Sequence, residues 1–408
     1  MTRDVVVVGA GPAGTACATL LAEQGLDVLV LERAAFPRFH IGESLLPCAT
    51  PVLDRLGVDL SGAFLSKEGA EFLDERTGQQ TAFRFAEGLD RPGDPRPGTW
   101  QVERREFDAL LLERARAAGV EVTCGAGVED VDLSGSSGRV GVAANGVTHT
   151  ARYLVDATGQ ATFLGRRHRS LVPARDFGRG AAFCHFTALS DAAVAEFAAR
   201  GNAIKILLVP GGWAWVIPLQ GARLSVGFVL RDGTLSATTL EEGLAASPLL
   251  QRITAGATRG ETRLIGDFSY YNRSQHGPRW ACVGDAACFL DPVFSSGVAL
   301  ALVGAARLAD TLGPALREGR EADPELCQPF SDHMMRGYEV FAAFIYRFYH
   351  TRIVSNLFFT DRPDERVRRG IIRSLAGEVW GEGNRFQEML LASARTGRRR
   401  LTWPPGTS

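Results

Sequence analysis

The sequence predicts an α/β protein in which a Rossmann-like dinucleotide-binding domain is interleaved with an antiparallel sheet and followed by a helical C-terminal region. Three observations carry this expectation. An apolar, largely β-branched run from Asp4 to Val8 leads straight into "GAGPAG". A second strand-then-turn, "ACVGDAACFLDP", begins far downstream at Ala281. Between them lie stretches with the two-residue alternation of strands that have one exposed face.

The first run has the composition of a parallel strand buried on both faces. Gly9, Gly11 and Gly14 then have GxGxxG spacing, and Pro12 and Ala13 open a helix expected over about Pro12 to Gln24. The helix begins with its positive dipole end toward a phosphate. "DVLVLER" predicts a second strand ending in Glu32, with Arg33 after it. A carboxylate about 20 residues beyond the glycines accepts from ribose hydroxyls, which disfavours a 2′-phosphate and leaves FAD or NAD. "VDATG", Val155 to Gly159, predicts another buried strand turning against the nucleotide.

"GRVGVAANGVTHTARYL" reads as a hairpin with Asn145-Gly146 at its turn, and "IKILLVPGGWAWVIPLQGARLSVGFVL" as a meander. Both are expected in the antiparallel sheet. The nucleotide-binding domain is accordingly assigned 1–65, 98–175 and 277–330, the antiparallel-sheet substrate domain 66–97 and 176–276, and the helical region with a loose tail 331–408. Aromatic residues at helical spacing in "GYEVFAAFIYRFYHTRIVSNLFF" are either core or a cap over a flat apolar substrate.

A formal net charge of −1, with basic residues scattered among acids, argues against nucleic acid as a partner. Seven cysteines without CxxC spacing indicate reduced thiols and neither a disulfide framework nor a metal site. No signal peptide and no apolar run of membrane-spanning length is read, so the expected location is the cytoplasm.

Two resemblances sharpen the reading. "VERREFD" and the Gly284-Asp285 pair are similar to segments of flavoprotein monooxygenases of the p-hydroxybenzoate hydroxylase type. That similarity implies FAD, with Arg104 near the flavin and Asp285 on its ribityl chain; a helix cap is the plain alternative for Asp285. "FPRFHIGESLLP", which includes Gly42 and Ser44, "WAWVIP" and "FLDPVFSSG" together resemble the flavin-dependent halogenases over most of the chain. Trp213, Trp215, Ile217 and Pro218 fall on that family's WxWxIP, and Phe289, Pro292, Ser295 and Gly297 on its FxxPxxSxG. The resemblance implies that the tryptophans separate substrate from flavin, that Ser296 and Gly297 hold chloride or bromide, and that Pro292, Gly297 and Val298 border the flavin. Read by themselves, the tryptophans are a hydrophobic sheet face, and the amides at "SSG" are an anion site at a helix start.

Lys67 and Lys205 are the only lysines; with 45 Lys plus Arg, 45 − 2 = 43 positions carry arginine. A GC-rich genome explains such a bias. "SKEGAEF" nevertheless resembles the family segment around its essential lysine, which implies that reduced FAD, oxygen and halide yield HOCl or HOBr and that Lys67 delivers it to an aromatic ring. An ε-amine can be chlorinated or can polarise HOCl, and a guanidinium cannot take the first role. The alternative is a surface lysine without a role, as Lys205 is expected to be. Phe294 stands where tryptophan-type members carry glutamate, which favours phenolic or pyrrolic rings in secondary-metabolite biosynthesis. His40 and His185 are available as a base or as structural histidines. Implied partners are a separate flavin reductase and a small aromatic substrate, free or carrier-tethered. The competing readings are a flavin monooxygenase, a geranylgeranyl-reductase-like enzyme and a protein with purely structural FAD.

Overall fold

The computed structural model describes residues 2–135, 138–178, 180–231, 235–266, 268–396, 401 and 403–405. Strands Thr2–Val8, Val28–Glu32, Glu121–Cys124, Val147–Asp156 and Trp280–Cys282 form a five-stranded parallel core. Val5 to Val8 and Val28 to Leu31 are buried on both faces, as continuous apolar runs require. Crossing from Thr2–Val8 outward to Val28–Glu32 on one side and to Val147–Asp156 on the other creates the switch point at which such sheets bind ligands.

The Asn145-Gly146 hairpin forms with both turn residues at positive φ, 49° and 73°, as a two-residue turn matching strand twist demands. It extends this first sheet, within the 98–175 segment assigned to the nucleotide-binding domain, and does not join the second sheet, where its alternating pattern had been expected; Val140–Ala144 pairs with the outer half of Val147–Asp156. The second sheet runs Thr258–Arg259, Gly180–Thr187, Arg223–Leu230, Gly212–Leu219, Ile204–Val209, Gly69–Asp74, Gln79–Arg84. It is antiparallel except where Ile204–Val209 pairs in parallel with Gly69–Asp74. That exception arises because the two strands come from distant parts of the chain and need no hairpin. Leu65–Lys67 stays outside both sheets and pairs antiparallel with Thr99–Gln101, so the boundary expected after residue 65 falls within a strand.

The helix Pro12–Ala22 packs against Ser296–Arg317. The latter has 22 residues and is apolar enough, by length and composition, to cross a membrane, a run the sequence reading missed; 72% of its most apolar window is buried inside the protein. Gln328–His350, Glu365–Leu375 and Arg385–Thr396 follow. The aromatic stripe of Gln328–His350 is core: Tyr338, Phe341, Phe344 and Phe348 are buried. Of the expected loose tail, 397–400, 402 and 406–408 lie outside the described residues. Trp403, by contrast, stacks at 5.9 Å on Phe177 and meets Tyr271 edge-on at 5.8 Å. All seven cysteines are free, and all but Cys124 are buried.

Candidate active site

A cavity of about 820 Å³ opens at the switch point. At one end it is lined by Gly9, Gly11, Pro12 and Ala13, with Glu32 and Arg33 beside them. Gly42, Ser44, Arg104 and Asp285 line its middle. At the other end stand Pro292, Ser296, Gly297 and Val298, facing Trp213, Trp215 and Ile217. Of the residues assigned from sequence to cofactor, halide, wall or catalysis, Gly14, Pro218 and Lys67 do not line it.

Gly14 acts from behind the wall. A Cβ there would lie 1.9 Å from the Gly9 carbonyl oxygen, so only glycine lets this helix approach the strand–turn unit. Pro218 points to the opposite face of its strand from Trp213, Trp215 and Ile217, as the period of two dictates. It does not line the cavity.

Two helices present their first amides to this cavity, and those amides have no intrahelical acceptors. Ser295, at φ 57°, turns the chain into the second of them, and Ser296 behind it is buried. Glu32 is also buried and accepts from the Ala10 and Ala34 amides, both at 2.7 Å, which locks the glycine turn onto the second strand. Asp285 lies inside a short 3-10 turn and caps no helix, so the capping alternative falls. Burial raises its pKa to about 6, against the pull of Arg104. Arg104 grips Asp108 with two hydrogen bonds, at 2.7 and 3.0 Å, and also donates to the Ile41 carbonyl. His40 is held uncharged: burial, then Arg104, lowers its pKa to about 4. For His185, burial pulls the pKa down, but Glu43, 2.8 Å from its Nε2, outweighs this and the net shift is upward. Glu43 lines the cavity and His185 does not.

The indoles of Trp213 and Trp215 lie side by side with centroids 6.1 Å apart, and both are buried. Trp215 donates to the Ser225 hydroxyl at 3.1 Å and lies over Gly227 on the neighbouring strand, where a Cβ would sit 2.2 Å from its ring. Gly227→Ala therefore displaces this indole and breaks the Ser225 bond. We expect a loss of about 1–3 kcal/mol in urea-unfolding free energy and a red-shifted tryptophan emission.

Lys67 is only 1% exposed. Its Nζ donates to the Leu45 carbonyl at 2.7 Å and lies 5.4 Å from the centroid of Phe85. Among the described residues no carboxylate is within ion-pair distance, and burial pushes its pKa down to about 7. The lysine is one residue beyond the cavity wall, since Ser44 lines the cavity and Leu45 holds the amine. Lys205 is not the surface lysine expected from sequence; it is buried and ion-paired with Glu71. Phe294 is stacked on Phe344 at 3.9 Å and offers no carboxylate there.

Sequence reasoning missed several cavity-lining residues, among them Arg38, Ala126 to Glu129, Gln160, Ile204 and Asp291. The "GAG" at 125–127 was the only signal for the second group. The residues present fit FAD. The cavity joins a dinucleotide turn to a second helix start, and the buried Ser44 hydroxyl on its wall has no hydrogen-bond partner among the described residues.

Comparison with known proteins agrees with this geometry. The family described as "Tryptophan halogenase" matches residues 90–374, and "FAD dependent oxidoreductase" matches 4–166. A 1H-pyrrole-2-carbonyl-(peptidyl-carrier protein) chlorinase of Pseudomonas fluorescens is 30% identical over 94% of this chain and 91% of its own. A tryptophan 2-halogenase of Chondromyces crocatus is 35% identical over 74% of this chain, which spans 59% of that longer protein. Among solved structures, a flavoprotein/dehydrogenase from Cytophaga hutchinsonii superimposes with a TM-score of 0.85 at 28% identity, over 96% of both chains. The flavin-dependent brominase Bmp2 does so with 0.83 at 28% identity, over 96% of this chain and 98% of its own. With half of the chain and more inside the family's bounds, and with the FAD cavity and both halogenase motifs around it, the protein belongs to the flavin-dependent halogenases, a family of FAD-using oxidoreductases.

Proposed function

We propose that this protein halogenates an electron-rich phenolic or pyrrolic ring in secondary metabolism, using reduced FAD, oxygen and chloride or bromide, with Lys67 passing the oxidised halogen to the substrate. The observation that carries this reading is Lys67 itself. An amine at 1% exposure with, among the described residues, a single carbonyl partner is costly to fold, and a cost of this kind supports a role in chemistry. At a pKa of about 7 both of its forms are populated near neutral pH. The neutral form takes chlorine from HOCl and releases water; the charged form polarises HOCl by a hydrogen bond.

Reduced FAD bound in the cavity supplies the electrons that activate oxygen, and a separate flavin reductase is its proposed source. The chain's own contribution is positioning. Gly9 to Ala13 and Glu32 would hold the nucleotide end, with Ser44 and Asp285 nearer the flavin. The open amides at Ser296 and Gly297 would hold the halide, and Trp213 and Trp215 would keep the organic ring away. Phe294 leaves no carboxylate to take up a ring proton, so the substrate must be activated by its own hydroxyl or ring nitrogen. The pyrrole-carrier chlorinase among the relatives supports this class and the inclusion of carrier-bound substrates.

The test is mass spectrometry of products from phenols and pyrroles, free and carrier-bound, with a flavin reductase, NADH, FAD, oxygen and halide. A mass gain with the halogen isotope pattern that requires halide is expected. A halide-independent gain of one oxygen would overturn the reading in favour of a monooxygenase.

A further inference from the structure

Trp213 is tied to something its neighbour is not. Its indole N–H is buried and needs an acceptor. It donates to the Tyr349 hydroxyl at 2.8 Å, and Tyr349 in turn donates to Asp291 Oδ2 at 2.7 Å. Asp291 is 1% exposed and lines the cavity. The same Oδ2 accepts from the Gly178 amide at 2.8 Å, while Oδ1 accepts from Val293 at 3.0 Å and so caps the turn Pro292–Phe294. That turn ends at Ser295 and delivers Ser296 and Gly297 to the cavity. There is no slack in the join, since a Cβ on Gly178 would lie 2.4 Å from Asp291 Oδ2 and 2.7 Å from the Tyr349 hydroxyl. Trp215 differs, because its partner Ser225 belongs to the neighbouring strand of its own sheet.

We propose that Tyr349 is a positioning residue that braces the Trp213 indole against the Asp291-capped turn, so that the wall and the halide-holding amides are set as one unit. The proposal rests on the halogenase reading for its kinetic consequence, but its geometry stands without that reading. The tyrosine hydroxyl is the only group of Tyr349 that the brace uses. Its loss leaves the Trp213 N–H without an acceptor and removes one of the three donors to Asp291, two buried polar defects in one step.

The experiment uses Tyr349→Phe in the full chain. Indole N–H resonances are followed by ¹⁵N-tryptophan NMR without flavin, with Trp213 and Trp215 assigned through Trp213→Phe and Trp215→Phe. Halide KM and kcat are measured with reduced FAD. We expect the Trp213 resonance to shift while that of Trp215 stays in place. Halide KM should rise about tenfold and kcat should fall far less, with FAD affinity unchanged. An unmoved Trp213 resonance, or a wild-type halide KM, overturns the proposal. If Tyr349→Phe does not fold, Asp291→Asn is judged by the same two readouts. A wild-type protein whose turnover ignores halide would instead refute the halogenase reading, and the brace would then stand or fall on the Trp213 resonance alone.

Discussion

On the role proposed for Lys67, Lys67→Ala is expected to lower formation of halogenated product by on the order of 10²–10⁴ while FAD still binds, because the amine would act after the flavin cavity has done its part. Lys67→Arg is expected to fail as well: a guanidinium stays charged, is a poor nucleophile toward HOCl, and is longer than a site 1% exposed accommodates. Lys67→Met separates chemistry from folding. The native pKa of about 7 lies below the ordinary 10.5, so from pH 7 to 10.5 the unfolded chain binds more protons than the native one and stability climbs with pH. The cost of burying the amine is therefore present in full below pH 7 and gone above 10.5. Lys67→Met should be inactive yet more stable, by a few kcal/mol at most at pH 6 and by almost nothing at pH 10.5, in urea titrations at both pH values. A pH-independent difference would mean that Lys67 does not carry this burden.

Gly14→Ala is the second large effect. The added carbon would lie 1.9 Å from the Gly9 carbonyl oxygen, so the helix Pro12–Ala22 must retreat from the sheet by more than an ångström. Its first amides then no longer meet a pyrophosphate. We expect purified protein without the yellow flavin band and a loss of about 3 kcal/mol. Gly381→Ala is the matched control: nothing lies within 4 Å of its Cβ, and its φ is not positive. It should be neutral or stabilising by about 0.4–1 kcal/mol, through the unfolded state.

What could be read in advance divides along physical lines. The nucleotide end was legible because strand, glycine turn, helix and acid are close in sequence, and each residue type has one conformational reason to be there. The Asn145-Gly146 hairpin was legible as a turn, yet nothing local says which sheet a hairpin will join. The Trp213 and Trp215 wall was legible by period, and the same period should have excluded Pro218. Arg38 and Asp291 were not legible, because their roles depend on partners scores of residues away: Asp108 at 3.2 Å for the former, Tyr349 for the latter. Lys205 shows the limit most plainly. The resemblance of "SKEGAEF" marked Lys67, but nothing in "NAIKILL" showed that Lys205 is buried and paired with Glu71 and not a surface residue.

The covering of Lys67 comes in part from the far end of the chain. Cys48, whose amide donates to the Ala376 carbonyl at 3.0 Å and whose thiol packs against Gly377, borders the pocket that holds the lysine. Gly88, just past Phe85, is closed over by Ile372. The nucleotide fold can begin to assemble as the chain is synthesised, but Cys48 and Gly88 do not gain these neighbours until some 300 residues beyond Lys67 have emerged from the ribosome. A chain that ends before them leaves the surroundings of the Lys67 pocket without this packing. On the proposed role of Lys67, oxidant handling would belong to the finished protein alone.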